Sequence, residues 1–195
     1  MQHKSLQKGF TLIELLVVIA ILSILAVAVI LTLNPAQMLK QARDSQRISD
    51  MSTLKSAIGL YLADVTSPSM GTSGTCYSSF AFTTSTGNGC TARMTASTLA
   101  TTSVANAGST TGGGWIPINF ALISSGSPLG AEPVDPINNA TYFYSYATNA
   151  SANFQFEIDV EMESTRYANG GGTDVESTDG GSSSTVYEVG TSLGL

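Results

Sequence analysis

The apolar residues of this chain are concentrated at one end. From Leu15 to Leu33 there are 19 residues without a charge, and only Ser23 and Thr32 interrupt the Leu, Ile, Val and Ala. At 1.5 Å rise per residue, a helix of that length comes close to the ~30 Å hydrocarbon core of a bilayer. Phe10 to Ile13 lengthen the run to 24 residues with one acid, Glu14. No other run approaches spanning length, so the pattern predicts one transmembrane segment and one polar domain. Asn34-Pro35 interrupts the run, and a proline inside a helix removes a hydrogen bond and tends to kink it. A helical period then resumes: Leu39 and Ala42, then Ile48, Met51, Leu54, Ile58 and Leu62 at spacings of three and four. One helix from about Thr11 to Leu62 is expected, bent or loosened near Pro35. Its first half is apolar all round, and its second half is amphipathic and should pack on a sheet. Lys40, Arg43, Asp44, Arg47, Asp50 and Lys55 are interleaved there. For most of them a solvated helix face is the expectation.

The periodicity fades between about Ser67 and Gly114, where Ser, Thr, Gly, Ala and Asn dominate, and returns as strands in the last third. Tyr142-Phe143-Tyr144-Ser145-Tyr146 is one candidate strand. Phe154, Phe156, Ile158 and Val160 alternate with Gln155, Glu157, Asp159 and Glu161, the pattern of a half-buried antiparallel strand. Thr185 to Val189 is a third, after the glycine-rich loops at 169–172 and 180–181. The tyrosines at 142, 144 and 146 lie on one face; such a stripe is more often core or subunit contact than ligand platform. The fold class is α+β: a long helix packed across a small antiparallel sheet.

Composition sharpens this picture. Charged residues are 11% of the chain, under half the usual share of about 25%. Ser and Thr supply 49 of the 195 residues, yet mean hydropathy is positive, +0.18. A single apolar block joined to a hydroxyl-rich domain reconciles the two. With 8 basic against 14 acidic residues, general nucleic-acid binding is disfavoured. Two cysteines and one histidine leave little for a zinc site.

Lys4 and Lys8 precede the apolar run with no acid among the first nine residues, which places that end in the cytoplasm. A secretory signal peptide would have a shorter apolar region followed by a cleavage site of small residues. A buried core helix does not fit this length and purity. A plain signal anchor fits hydropathy equally well, but it gives no reason for Glu14. A carboxylate in an apolar span is costly and marks a functional site by default.

The string Lys8-Gly9-Phe10-Thr11-Leu12-Ile13-Glu14, with the apolar run behind it, resembles the class III leader of type IV pilins and type II secretion pseudopilins. That pattern is a short basic leader ending in Gly, then Phe, then Glu as the fifth residue beyond the cut. The resemblance implies a pilin-like lollipop, its apolar half-helix protruding. It implies a leader at 1–9, an apolar membrane and filament-core helix at 10–34 and an amphipathic continuation at 35–65. A Ser/Thr/Gly-rich loop region at 66–114 and an antiparallel region at 115–195 follow. It also implies cleavage between Gly9 and Phe10 by a membrane prepilin peptidase, and methylation of the new Phe10 amine. Glu14 would then pair with the amine of an adjacent subunit and set axial register. The implied partners are copies of the chain, minor pilins and the inner-membrane assembly machinery. The implied location is the inner membrane, then an extracellular pilus or a periplasmic pseudopilus. Lys4 and Lys8 leave with the leader, so the mature chain has six basic against 14 acidic residues, a net charge of −8. A broadly DNA-binding shaft is not expected. His3 also lies in the leader, and no nucleophile–base–acid set points to an enzyme.

Weaker signals lie in the polar domain. Cys76 and Cys90 fall in the segment placed outside the cytoplasm, where disulfides persist. A bond between them would add roughly 3 kcal/mol in the chain-entropy model; the alternative is two free thiols. Asp135-Pro136-Ile137-Asn138-Asn139 resembles the Asp-Pro-x-Gly-Asn turn of major pseudopilins, with Asn138 in place of Gly. In those proteins a later acidic loop binds calcium, and Asp174, Glu176 and Asp179 offer comparable oxygens here. Asn139-Ala140-Thr141 and Asn149-Ala150-Ser151 match the glycosylation sequon, a motif that recurs by chance.

Overall fold

The computed structural model describes residues 9–82, 93–94, 98–99, 108–149 and 154–195. It divides into two compact units, Met1–Leu39 and Lys40–Leu195.

The first unit contains helix α1, Leu12–Leu33. Asn34 ends it in the left-handed conformation, at φ 41°. Asparagine tolerates that region better than most residues because its short polar side chain bonds locally. Helix α2, Pro35–Asp64, begins at the next residue. Pro35 therefore stands at a first helical position, where its missing N–H costs nothing. The Asn34 carbonyl accepts from Gln37 N (2.9 Å) and starts the new helix. The expected bend is thus a full break of one residue, made by Asn34, with Pro35 as a helix starter.

In the second unit α2 supplies Met51, Leu54, Ala57, Ile58 and Tyr61 to the core, all buried. Leu39 is exposed, so the core-facing stripe begins only at Ile48. The stripe shares one hydrophobic core with Tyr144, Tyr146, Phe156, Ile158, Val160 and Val189 of the sheet. Trp115, Ile116, Ile118 and Phe120, from the segment before the sheet, complete it.

The sheet has five strands in the order β2-β1-β3-β4-β5. These are β1 Thr75–Ser78, β2 Thr98–Leu99, β3 Tyr144–Asn149, β4 Gln155–Val160 and β5 Tyr187–Gly190. β1, β3, β4 and β5 pair antiparallel, and the short β2 adds a parallel edge. The candidate strand at 142–146 starts two residues later than the aromatic run suggests. The Asn139 side chain caps a turn there, accepting from Thr141 N (2.9 Å) and Tyr142 N (2.8 Å). Strand β1 lies inside the region read from sequence as loops. Four residues, Thr-Cys-Tyr-Ser, are too short to carry a period, yet all four are buried.

Two further expectations are corrected. Asp44, Arg47 and Asp50 of α2 are buried, not solvated. Arg47 binds Asp135 with two nitrogens, Nε to Oδ2 at 2.6 Å and Nη2 to Oδ1 at 3.0 Å. Its Nη1 reaches Asp44 at 2.7 Å and Glu163 at 3.4 Å, and its guanidinium lies 5.1 Å from the centre of the Tyr142 ring. Burial works against the Arg47 charge, and the hydrogen bonds and fields of Asp135 and Asp44 more than offset it, so its pKa is raised. The second correction concerns β4. Glu157 and Asp159 are buried, because the face of the sheet turned away from α2 is itself covered. Cys76, Met94 and Ala147 form a small cluster on that face, with Leu195 against it.

Glu132 is another buried carboxylate. Its Oε2 accepts from Ile116 N at 3.0 Å, while Oε1 has no partner among the described residues. The fit depends on Gly114: a Cβ there would clash with Glu132 Oε2 and with Ser109 O. Burial pushes the Glu132 carboxyl up to about 8 against two backbone hydrogen bonds that favour its charge.

Two predictions follow from these buried groups. Arg47→Ala leaves Asp44 and Asp135 buried without their cation and should cost about 3–5 kcal/mol in urea unfolding of the detergent-solubilised chain. Arg47→Lys should recover only part of this, since an ammonium cannot make the two-nitrogen contact. For Glu132 the folded pKa lies above the unfolded one, so the folded state holds the extra proton between about 4.5 and about 8. Its contribution to stability therefore falls as pH rises through that window. Glu132→Gln should gain on the parent by an amount that grows from pH 5 to pH 8, reaching on the order of a few kcal/mol. A gain independent of pH would count against this assignment.

Candidate functional site

Gly9, Phe10 and Thr11 precede the first helical residue, Leu12. Among the described residues nothing lies within 4 Å of where a Gly9 Cβ would stand, and Phe10 is 87% exposed. The Gly9–Phe10 peptide is therefore open, non-helical backbone, the form a protease active site can accept.

Thr11 and Glu14 start the helix as a reciprocal capping box. The Thr11 hydroxyl oxygen accepts from Glu14 N (3.3 Å), and Glu14 Oε2 accepts from Thr11 N (2.8 Å) and from the Thr11 hydroxyl (2.7 Å). Two of the donors that a helix start leaves unpaired are satisfied this way. The carboxylate also lies at the positive end of the helix dipole. Glu14 thus has a partner inside its own chain, next to the residue that would carry the new amine. Thr11 was not singled out from sequence as this partner. The signal was present, as the Thr-x-x-Glu spacing that marks a capping box.

Leu12–Ile30 is a helix long and apolar enough to cross a membrane, with a mean hydropathy of 3.1 and none of it buried within the chain. Its large side chains are exposed, from Leu12 and Ile13 through Ile30 and Leu33. The two hydroxyls in the run are turned inward on the helix. Ser23 donates to Ile19 O (2.7 Å), and Thr32 lies 2.9 Å from Val29 O. Neither adds an unsatisfied polar group to a surface that water does not reach.

The other residues named from sequence have different fates. Tyr144 and Tyr146 are core: Tyr144 OH donates to Asp50 Oδ2 (2.7 Å) and Tyr146 OH to Met70 O (2.9 Å). Burial raises the pKa of both. In the Asp-Pro turn, Asp135 Oδ1 accepts from Ile137 N (2.8 Å) and Asn138 N (3.2 Å). Asn138 has φ +47°, so it takes the left-handed conformation that a glycine would adopt there. Cys76 is fully buried and is not a free thiol; Cys90 lies outside the described residues.

Asp174, Glu176 and Asp179 are not brought together. Asp174 accepts from Gly170 N, Ser177 N and the Ser177 hydroxyl. Glu176 accepts from Met162 N and Asn169 N, and Asp179 from Gly181 N and Glu188 N. Each closes its own piece of loop. The carboxylates that do converge are Glu157, Asp159 and Glu188, all buried, with one oxygen from each within 4.8 Å of the others. Sequence reading placed the first two on a solvated face and did not single out the third.

Residues 4–30 match the family model described as the prokaryotic N-terminal methylation motif. That match takes in Gly9, Phe10, the capping box and the whole apolar window. Neither the curated proteins nor the solved structures contain a match to the chain. Proteins marked by this motif are structural rather than enzymatic, and the apolar helix behind the motif is consistent with a membrane-anchored precursor. This amino-terminal motif, over residues 4–30, supports a likeness of the chain to the type IV pilin and pseudopilin family.

Proposed function

We propose that the chain is a prepilin cut between Gly9 and Phe10, methylated on the Phe10 amine, and polymerised into a helical type IV pilus filament. The carrying observation is one ionisable group, Glu14, at the start of an otherwise uncharged and wholly exposed apolar helix inside the methylation motif. That helix needs an apolar environment twice, as lipid before assembly and as a core of neighbouring helices after it. The cut creates a cation at the edge of that core, and isolated buried charges are very costly. Glu14 supplies the opposite charge. A register device is the best-attested use of a buried ion pair. Its bonds to Thr11 are local and exposed, so the carboxylate can turn to a neighbour's amine without unfolding the helix.

A prepilin peptidase, minor pilins and an inner-membrane assembly platform are the partners in this reading. Cys76 and Cys90 form a disulfide in the polar domain. One observation favours a second reading, a major pseudopilin of a type II secretion system. The Asp135 turn, with Asn138 in the left-handed conformation, matches the geometry that the pseudopilin-like sequence pattern implies. A membrane-anchored adhesive module that never polymerises is the third, and nothing beyond the single anchor favours it.

Glu14→Ala should leave processing intact, with the same shift to the mature band on a gel. It removes an interaction on the order of 3–5 kcal/mol at each subunit contact, so filament yield should collapse. Normal yield from this variant would sink the assembly role. A bulky residue at position 9 should accumulate full-length precursor. Shearing cells and imaging the released material separates the readings. Long surface filaments containing the chain mean a pilus, short periplasmic material means a pseudopilus, and a chain left in the membrane excludes both.

A further inference from the structure

The sheet face turned away from α2 carries a group of carboxylates that the pilin reading does not use. Glu157 and Asp159 are two residues apart on β4 and so share a face. Glu188 of β5 is the register partner of Asp159. One oxygen from each lies within 4.8 Å of the other two, and all three side chains are buried.

Three buried carboxylates in such a space repel one another and have lost their water. Hydrogen bonds account for part of the group. Glu157 Oε2 accepts from Gly194 N and Leu195 N, both at 2.6 Å. The Glu188 oxygens accept from Ser182 N (3.1 Å) and Ser183 N (2.9 Å). Asp159 is the exception: it is 0% exposed, and neither of its oxygens accepts from a donor among the described residues. Glu157 Oε1 is also without one. The cation nearby, Arg93, places its described hydrogen bonds on Phe143 O, Thr141 O and Glu161. Three unpartnered oxygens on two neighbouring buried carboxylates are the costly situation that native structures resolve with a proton or a cation.

We propose that Glu157, Asp159 and Glu188 form a calcium site on the second face of the sheet. The donors are hard carboxylate oxygens, with no histidine or thiolate in the group, which selects against zinc and copper. Two oxygens on opposite sides of a calcium ion at 2.3–2.6 Å stand at most about 4.6–5.2 Å apart, and the observed spread fits within that. The backbone N–H groups on Glu157 and the serines on Glu188 orient two of the ligands, as outer-shell partners do in metal sites. Asp159, unheld by any donor, is the ligand that gains most from the ion. Burial raises the pKa of Glu157 and Asp159, the first to about 7, so the competing occupant is a shared proton. A bound ion would tie β4 to β5 and to the 194–195 backbone, holding the sheet edge opposite β2.

Equilibrium dialysis of the full chain in detergent micelles, stripped with EDTA and returned to calcium, tests this. One calcium per chain is expected, with thermal unfolding at higher temperature in calcium than in EDTA. Asp159→Asn should abolish binding and Asp174→Asn should retain it. Glu188→Gln, which keeps the side-chain shape, should bind about tenfold more weakly or worse, and it carries the test if Asp159→Asn does not fold. Absence of bound calcium, with Asp159→Asn more stable than the parent, would mean that the carboxylates share protons and would overturn the site. Calcium lost in Asp174→Asn and kept in Asp159→Asn would move it to the 174–179 loop and equally overturn the proposal.

Discussion

The polar domain is organised around one buried cation. Arg47 leaves the polar side of α2 and is met by Asp135 and Asp44, with Glu163 at longer range. Each of these acids does a second job. Asp135 closes the Asp-Pro turn, and Asp44 accepts from the backbone of Glu163 (2.9 Å) and Ser164 (2.8 Å). The helix, the turn before β3 and the segment after β4 are therefore pinned to the same guanidinium. A hydrophobic stripe alone fixes which face of α2 turns inward, but it tolerates sliding along the axis. A two-nitrogen guanidinium–carboxylate contact sets that position, because its geometry fits at one place only. Continuum arguments give buried ion pairs little net stability and leave them a role in specifying one arrangement.

The sheet serves two interiors. Its α2 face is aromatic and aliphatic, with hydroxyls such as Tyr144 OH and Tyr146 OH placed on buried acceptors. Its other face carries Ser145, Glu157, Asp159 and Glu188, also buried. In a chain with only 11% charged residues, the acids are concentrated where water is absent. Glu132, Glu157 and Asp159 all have pKa values raised by burial. Such groups make the fold sensitive to proton or cation activity, which a wholly apolar second face would not be.

The amino-terminal segment follows another logic. Its helix is exposed along its described length, and hydropathy and helix capping account for its form. Thr11 and Glu14 close the start, and Asn34 closes the end. Between them the backbone satisfies itself, as it must in hydrocarbon. Glu14 is held at the helix start by a partner three residues away, as one half of the capping box.

The amino-terminal motif, the apolar helix, an interruption near Asn34-Pro35 (expected as a bend, found as a full break), the core stripe from Met51 to Leu62 and the alternation in β4 were legible in the sequence. Each rests on interactions within a few residues or on a face set by the helical or strand period. Burial of Arg47, the place of β1 between β2 and β3, and the convergence of Glu157, Asp159 and Glu188 were not legible. Arg47 meets Asp135 88 residues away, and Thr75–Ser78 becomes a strand only because β3 offers it a backbone edge. Glu157 and Asp159 look solvated from the strand pattern, since alternation shows that a strand has two different faces but not whether the polar one meets water. Sequence by itself determined where the apolar helix lies and which residues the methylation motif contains. Only the tertiary structure decided which charges are buried together, because that depends on the chain returning to cover the second face of the sheet.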